Sequence, residues 1–177
     1  MDFQLLWEFL EGLSFHRGVW LFLPAFALHV LEEAPQFTAW AKRHTSPRFT
    51  RADFLRNNGL GMALSALLCA AVAVFPHPAV AFVFFALDVW QAGFNTVFHV
   101  ATTAYGVYSP GLLTSLTLYP ALCCYLSRLA FQEGLITNTS GLIALLLGGI
   151  IHAYVVAVQV YFFEPLARTR TSASGSP

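Results

Sequence analysis

Long runs of apolar residues, separated by short polar or proline-containing breaks, dominate this sequence of 177 residues. Only 10% of the residues are charged, whereas an average soluble domain carries about 25%. A helix that crosses a membrane needs about 20 consecutive apolar residues, and the runs reach that length. We therefore expect five transmembrane helices, near residues 17–37, 55–75, 79–104, 110–132 and 136–163.

The predicted fold class is an all-α integral membrane bundle of about five transmembrane helices. The spans use most of the chain, so residues 1–165 are expected to form a single domain. Apolar residues recur at helical spacing over residues 3–13, which predicts a short N-terminal helix lying in the membrane interface. Residues 166–177 have the composition of a disordered tail. The polar stretch 41–56 is interpreted as a surface loop.

The basic residues are distributed unevenly, and this asymmetry predicts the orientation. With five spans, Arg17 and Arg128 lie on the side of the N-terminus. The other side carries seven basic residues: Lys42, Arg43, Arg48, Arg51, Arg56, Arg168 and Arg170. Because basic loops stay in the cytoplasm, we expect the N-terminus outside and the C-terminus in the cytoplasm. In a bacterium the membrane would be the inner (plasma) membrane.

The first apolar run ends with three titratable residues, in the stretch LFLPAFALHVLEEAPQF. His29, Glu32 and Glu33 stand at i, i+3 and i+4, which places them on one helix face within a turn. An ionised carboxylate at the bilayer centre costs about 3 kcal/mol on insertion scales. Apart from Arg56 at the edge, no Lys or Arg lies near that level inside the predicted spans. The expected counter-charge is therefore a protonated histidine or a bound metal ion.

Polar residues of the other spans are predicted to lie at the same level as this cluster. The third span carries a polar stripe at i, i+3, i+7 and i+11, the fifth carries a lone histidine, and an asparagine pair opens the second. Because successive spans alternate in direction, these residues are predicted to share one site in the cytoplasmic half of the membrane. They are Asn58, Asp88, Gln91, Asn95, His99 and His152, of which Asn58, Asp88, Gln91 and Asn95 are expected to surround the substrate.

Three motifs follow one another along the chain: HVLEE at 29–33, a histidine in NTVFH at 95–99, and YSPG at 108–111. Together they resemble the HXXEE-domain family of small membrane proteins, which has no established activity. The resemblance implies little about function. It implies the following signature residues here: His29, Glu32, Glu33, His99, Tyr108, Pro110 and Gly111. His152 is not among them, and its place in the site depends on its depth alone.

A metal site is one concrete interpretation of the cluster. His29 and Glu33 can ligate one ion while Glu32 acts as the base, similar to the H-x-x-E-H arrangement of inverzincins with a glutamate in the last position. The third ligand is expected from His99 or His152. Two histidines, a glutamate and an open fourth position suit catalytic zinc, with iron or manganese as the next candidates. An inward-facing hydroxyl of Tyr108 would donate to a developing negative charge.

Two classes of function remain open at this point. The first is an intramembrane enzyme acting on a lipid-soluble or amphipathic substrate, by metal-assisted hydrolysis or redox chemistry or by metal-free acid–base isomerisation. The second is a small transporter or binding protein for a metal ion, a proton or a cationic solute. The sequence has no internal repeat and no clear mid-span break except a kink at Pro24, which favours the enzyme. Membrane lipid is the expected partner. Nucleic acid is not, because topology and anionic lipid explain the basic stretch.

Overall fold

The computed structural model describes residues 3–158, and in this range the chain is entirely helical. Its elements follow one another in this order: α1 (Phe3–Glu11), α2 (Phe15–Gly18), a 3₁₀ turn (Val19–Leu21), α3 (Phe22–Glu33), α4 (Phe37–His44), α5 (Arg51–Val74), α6 (Pro78–Phe84), a π-helical turn (Phe85–Val89), α7 (Trp90–Ala104), α8 (Leu112–Leu116), α9 (Leu118–Gln132) and α10 (Asn138–Val158).

Within the described range, three helical segments are long and apolar enough to cross a membrane. They are Arg51–Val74, Pro78–Ala104 and Leu112–Gln132, and they agree with the second, third and fourth predicted spans. The fifth span has a shorter apolar counterpart, Asn138–Tyr154, and its predicted end falls outside the described residues, as does the predicted tail 166–177. The first predicted span is divided into α2, the 3₁₀ turn and α3, and it ends at Glu33.

Two prolines explain where helices are interrupted. Proline has no N–H to donate, and its ring clashes with the carbonyl group four residues earlier. Pro24 follows Trp20 by four residues, and Trp20 lies in the 3₁₀ turn. Pro120 follows Leu116 by four residues, and α8 ends at Leu116 before α9 begins at Leu118. Both interruptions therefore lie four residues before a proline, where the helix loses a hydrogen bond.

The third span contains an interruption that the sequence analysis did not predict. A π-helical turn occupies Phe85–Val89, and the extra residue in such a turn rotates the following helix by about 100°. Helix α10 packs directly on this turn. A Cβ atom on Gly148 would overlap the Ala86 carbonyl oxygen and lie 2.9 Å from Cβ of Trp90. Glycine at this position lets the two backbones approach closely.

The stretch 41–56 is more ordered than the predicted loop. Helix α4 extends to His44, and α5 begins at Arg51. A capping box starts α5, because the Thr50 hydroxyl accepts from Asp53 N at 3.1 Å while Thr50 N donates to Asp53 Oδ2 at 3.0 Å. Residues 45–50 connect α4 to α5, and residues 34–36 connect α3 to α4.

Aromatic side chains from four elements form the centre of the core. The Phe22 ring lies 5.9 Å from Phe84 and 6.5 Å from Tyr119, measured between ring centroids. Phe15 contacts Phe84 at 5.9 Å, and all four side chains are fully or almost fully buried. This cluster fixes α3 against α6 and α9. The N-terminal helix α1 is also attached, because the Tyr125 hydroxyl donates to the Leu10 carbonyl at 2.6 Å.

Candidate metal centre

Three buried side chains from two helices converge on one point. His29 and Glu33 come from successive turns of α3, and His99 comes from α7. Glu33 Oε1 lies 3.6 Å from His29 Nε2 and 3.4 Å from His99 Nε2. Each residue offers one ligand atom, and the three atoms lie within 4.8 Å of one another. The side chains are 2%, 6% and 1% exposed in the order His29, Glu33, His99.

Hydroxyl groups hold the far sides of both imidazole rings. His29 Nδ1 lies 2.8 Å from Thr114 Oγ1, and His99 Nδ1 lies 2.8 Å from Ser109 Oγ. The two rings contact each other edge to face, with centroids 5.1 Å apart. Such hydrogen bonds to the outer nitrogen are typical of metal-binding histidines, because they fix the orientation of the ring. The inner nitrogens, Nε2, are left facing Glu33.

Glu32 is fully engaged at the start of α8. Its carboxylate accepts from Leu113 N at 2.9 Å, from Thr114 N at 2.9 Å and from the Thr114 hydroxyl at 2.6 Å. The two amides are unpaired donors of the first helical turn, so the carboxylate acts as a cap. Glu32 was predicted to act as a catalytic base. In the structure its carboxylate contacts Thr114, whose hydroxyl contacts His29 Nδ1.

These hydrogen bonds determine the tautomer of His29. The Thr114 hydroxyl has one proton, and its shortest bond donates that proton to Glu32. Its oxygen must then accept from His29 Nδ1, which therefore carries the hydrogen in the neutral ring. The lone pair of His29 Nε2 faces the carboxylate oxygen of Glu33. Two acceptors thus face each other at 3.6 Å, which is longer than a normal hydrogen bond.

Gly111 covers the centre with its backbone. Its φ of +94° is in the left-handed region, which glycine adopts without strain. A Cβ atom here would lie 2.7 Å from His29 Cε1, and 3.0 Å from both Glu33 Cγ and His99 Cε1. Glycine is required here for a second reason, since any side chain would displace all three residues.

Tyr119 is a neighbour of the centre that sequence analysis missed. Its ring lies 4.9 Å from that of His29 between centroids, and it is 0% exposed. Asn95 lies close to its hydroxyl, but no side chain in the described range meets that hydroxyl in hydrogen-bonding geometry. The local sequence TLYPAL does not indicate that Tyr119 lies beside the centre, because a tyrosine in an apolar helix is ordinarily a packing residue.

Other predicted site residues form separate groups. His152 lies 2.9 Å from the Gly148 carbonyl through Nδ1 and 3.3 Å from Gln91 Oε1 through Nε2, so it does not join the centre as a ligand. Asp88 accepts from the Ser65 hydroxyl at 2.7 Å. The prediction of one shared site was based on the depth of these residues in the predicted spans. Depth does not determine the direction in which a side chain points.

The remaining predicted residues lie at the edge of the centre or face away from it. Asn58 donates to the Phe54 carbonyl of its own helix at 3.0 Å. Tyr108 is 58% exposed, and it lines a surface cavity instead of pointing at the centre. Asn95, which was expected to surround the substrate, lies beside Tyr119 and so borders the centre. Ser109 is the second residue of the YSPG motif. Its hydroxyl contacts His99.

The donor set fits a divalent metal ion. Ligands arranged tetrahedrally at about 2.1 Å from zinc lie roughly 3.4 Å from one another. The two distances to Glu33 Oε1 are 3.4 and 3.6 Å, and all three ligand atoms lie within 4.8 Å of one another. Two imidazole nitrogens and one carboxylate oxygen are the ligands of many catalytic zinc sites, and they also suit iron and manganese. His29, Glu33 and His99 are therefore the residues that would hold the ion.

The fold and the centre define an apolar, all-helical protein with a buried His/Glu group. Residues 20–126 match the family described as "Protein of unknown function with HXXEE motif". Because the match covers more than half of the chain, this protein belongs to the HXXEE family, which confirms the resemblance. The matched region contains all three residues of the centre and Gly111, whereas α10 and His152 lie beyond it. No curated protein and no solved structure matches the chain.

Proposed function

We propose that this chain is a metal-dependent enzyme of the membrane that acts on a lipid-soluble substrate. In this proposal the chain crosses the membrane five times, with its N-terminal helix in the interface, its N-terminus outside and its C-terminus in the cytoplasm. His29, Glu33 and His99 bind one divalent ion, with zinc preferred over iron or manganese. The centre then lies in the cytoplasmic half of the bilayer.

One observation carries the proposal. The lone pair of His29 Nε2 faces a carboxylate oxygen of Glu33 at 3.6 Å, and His99 Nε2 lies 3.4 Å from the same oxygen. Facing acceptors repel each other unless a cation or a proton lies between them. All three side chains are buried, so water does not screen them. A bound cation satisfies all three groups at once.

The surrounding residues keep the centre in place. Glu32 fixes Thr114, and Thr114 fixes the ring of His29. Ser109 holds the ring of His99 in the same way. Supports of this kind change metal affinity by about 10–100-fold when they are removed. A bound ion would supply Lewis-acid chemistry, with redox chemistry added if it is iron or manganese.

Tyr119 is the residue best placed to act on a substrate beside the centre. Its buried hydroxyl is a donor without an acceptor in hydrogen-bonding geometry in the described range, and its ring contacts His29. A preorganised donor of this kind stabilises negative charge that develops on a substrate oxygen. We therefore assign this role to Tyr119 and not to Tyr108, whose side chain is exposed.

The test is the metal content of detergent-purified protein, measured by elemental mass spectrometry. We expect about one equivalent of zinc, iron or manganese in the parent and none in the His29→Ala/Glu33→Ala double variant. His152→Ala is the matched control, because this histidine lies in a span but bonds to Gly148 and Gln91. It should keep its metal.

The outcomes separate the proposal from its alternatives. Loss of metal in both the double variant and His152→Ala would contradict the ligand assignment. Absence of metal from the parent, after growth with each metal in excess, would contradict metal-dependent chemistry. The centre would then be assigned to metal-free acid–base isomerisation, or to binding and transport of a proton or cationic solute.

A further inference from the structure

A surface cavity lies next to the centre, between α4 and the turn that precedes α8. Its volume is about 490 Å³, which is within the usual range for sites that bind small molecules. One wall comes from the residues that follow α3 and from α4, including Gln36 and Trp40. The opposite wall comes from the turn at residues 106–110 and includes Tyr108. The cavity thus has apolar aromatic surface and polar groups together.

Two basic residues contribute side chains to the cavity. Arg43 and His44 line it, and no Asp or Glu is among the described residues of its lining. Arg43 and His44 lie in the last turn of α4 and are exposed. The His44 ring packs on Trp40, with centroids 5.4 Å apart, which holds it at the cavity wall. A guanidinium group beside an imidazole favours an anion, above all a phosphate, because arginine binds phosphate through two parallel hydrogen bonds.

The cavity and the centre share a wall. Pro110 lines the cavity, and the next residue, Gly111, lies against all three residues of the centre. Trp40 gives a second connection, because its ring contacts Phe98 at 5.8 Å and Phe98 precedes His99. The cavity is therefore next to the centre, with the Pro110–Gly111 segment between them.

We propose that this cavity binds the phosphate head group of an amphipathic lipid substrate. Arg43 and His44 bind the phosphate, and Trp40 and Tyr108 contact the part of the molecule that leads toward the apolar spans. Tryptophan and tyrosine are suited to this position because they are stable at the boundary between headgroups and acyl chains. The inference rests on the proposed function for its substrate, and it adds the chemical class of that substrate.

The test uses the full chain in a non-ionic detergent and three probes. Dihexanoyl phosphatidic acid carries the phosphate and short acyl chains, dihexanoylglycerol lacks the phosphate, and inorganic phosphate lacks the chains. We expect calorimetry to show binding of phosphatidic acid, and Arg43→Gln/His44→Gln to weaken it at least ten-fold. Lys42→Gln is the matched control, because Lys42 is the neighbouring basic residue of α4 and does not line the cavity. It should change the affinity less than three-fold.

Three results would overturn the inference. Equal weakening by Lys42→Gln would indicate attraction to general surface charge. Dihexanoylglycerol binding as tightly as phosphatidic acid would show that the phosphate is not recognised. Inorganic phosphate binding as tightly as phosphatidic acid would assign the cavity to a free phosphate and exclude a lipid.

The same titration in His29→Ala/Glu33→Ala separates this inference from the proposed function. None of the cavity side chains changes in that variant, so phosphatidic acid should bind with near-parental affinity. Binding without metal in the parent would contradict the metal proposal alone. Metal without phosphatidic acid binding in the parent would contradict the lipid head-group proposal alone.

Discussion

The two adjacent glutamates of the first motif have different partners, and this difference is testable residue by residue. Glu33 faces the two imidazole nitrogens, so Glu33→Gln replaces a charged ligand by a neutral amide. We expect it to abolish binding of metal. Glu32→Gln keeps the size of the side chain but loses the charge that caps α8 and holds Thr114. We expect zinc to remain bound with about 10–100-fold lower affinity.

The measurement for both variants is competition against a chelator of known zinc affinity. Thr117→Ala is a suitable control, because among the described residues the Thr117 hydroxyl donates to the Leu113 carbonyl four residues earlier and does not contact the centre. It should bind zinc as the parent does. If Glu32→Gln and Glu33→Gln lost affinity to the same degree, the distinction between ligand and support would be wrong.

Gly111 gives a second test at this scale, and Gly106 is its natural control. Both have positive φ, +94° and +83°, so an alanine at either strains the backbone by about 1–2 kcal/mol. A Cβ at Gly106 meets nothing within 4 Å, whereas one at Gly111 presses on His29, Glu33 and His99. We expect Gly111→Ala alone to remove metal, while both variants lower the thermal midpoint in detergent. Metal loss in Gly106→Ala would contradict this reading.

Part of the centre could be predicted from residue spacing alone. His29 and Glu33 at i and i+4 must share a helix face, and His99 completes the set that the motifs suggested. The hydroxyls of Ser109, Thr114 and Tyr119 gave no signal, because threonine, serine and tyrosine are ordinary residues of membrane helices. The close approach of Gly111 was also hidden, since a sequence shows that a glycine is present but not what its missing Cβ would meet.

At the scale of the helices, the π-helical turn explains why the predicted polar stripe is not one surface. In a regular helix, Asp88 and His99 at i and i+11 lie about 20° apart around the axis. The turn at Phe85–Val89 contains Asp88. Its extra residue rotates the part of the helix that follows the turn relative to the part that precedes it. Asp88 consequently meets Ser65 of α5, whereas His99 meets the centre. Hydrophobic periodicity cannot reveal a π turn, because it assumes a constant residue count per turn.

The contact between Ser65 and Asp88 should stabilise this interrupted helix. Asp88 is buried, and its second oxygen, Oδ2, has no partner in the described range. Ser65→Ala would leave the carboxyl group without its one hydrogen bond to a side chain in that range. We expect a destabilisation of about 1–3 kcal/mol, the usual effect of leaving a buried polar group unsatisfied. Thermal unfolding in detergent measures it.

The double variant Ser65→Ala/Asp88→Leu provides the control. Replacing both polar partners by apolar groups is close to neutral, so it should recover most of the stability lost in Ser65→Ala. Metal content should stay at the parental level in both variants, because neither residue contacts the centre. Additive destabilisation would show that the two side chains do not interact.

At the scale of the whole molecule, composition was enough to predict an all-helical chain with helices that can cross a membrane. The lengths of the apolar runs also predicted the extents of the three segments that are long and apolar enough to cross a membrane. A long apolar run in lipid has few alternatives to a helix. The first predicted span is not one continuous helix in the structure. Its proline and its polar end divide it into shorter pieces, and a hydropathy window averages over such features.

The proposed orientation can be tested directly. In a background without the native cysteines, Thr45→Cys and Ser172→Cys should react with a membrane-impermeant maleimide only after the cells are opened. Thr139→Cys lies on the opposite side in the five-span topology, and it should react in intact cells. Labelling of Thr45→Cys from outside would reverse the orientation, and labelling of positions 45 and 172 from opposite sides would contradict five spans.

The hydrogen bonds between Glu32 and the start of α8 join residues that are 81 and 82 positions apart. A membrane protein is synthesised and inserted from its N-terminus. In the proposed five-span topology, the first helical segment therefore reaches the bilayer before the residues that bind the Glu32 carboxylate have been synthesised, and an ionised carboxylate costs about 3 kcal/mol at the bilayer centre. We expect this segment to wait at the surface during translation and to enter its final position late. A nascent chain that stalls before residue 113 would keep it exposed to proteases.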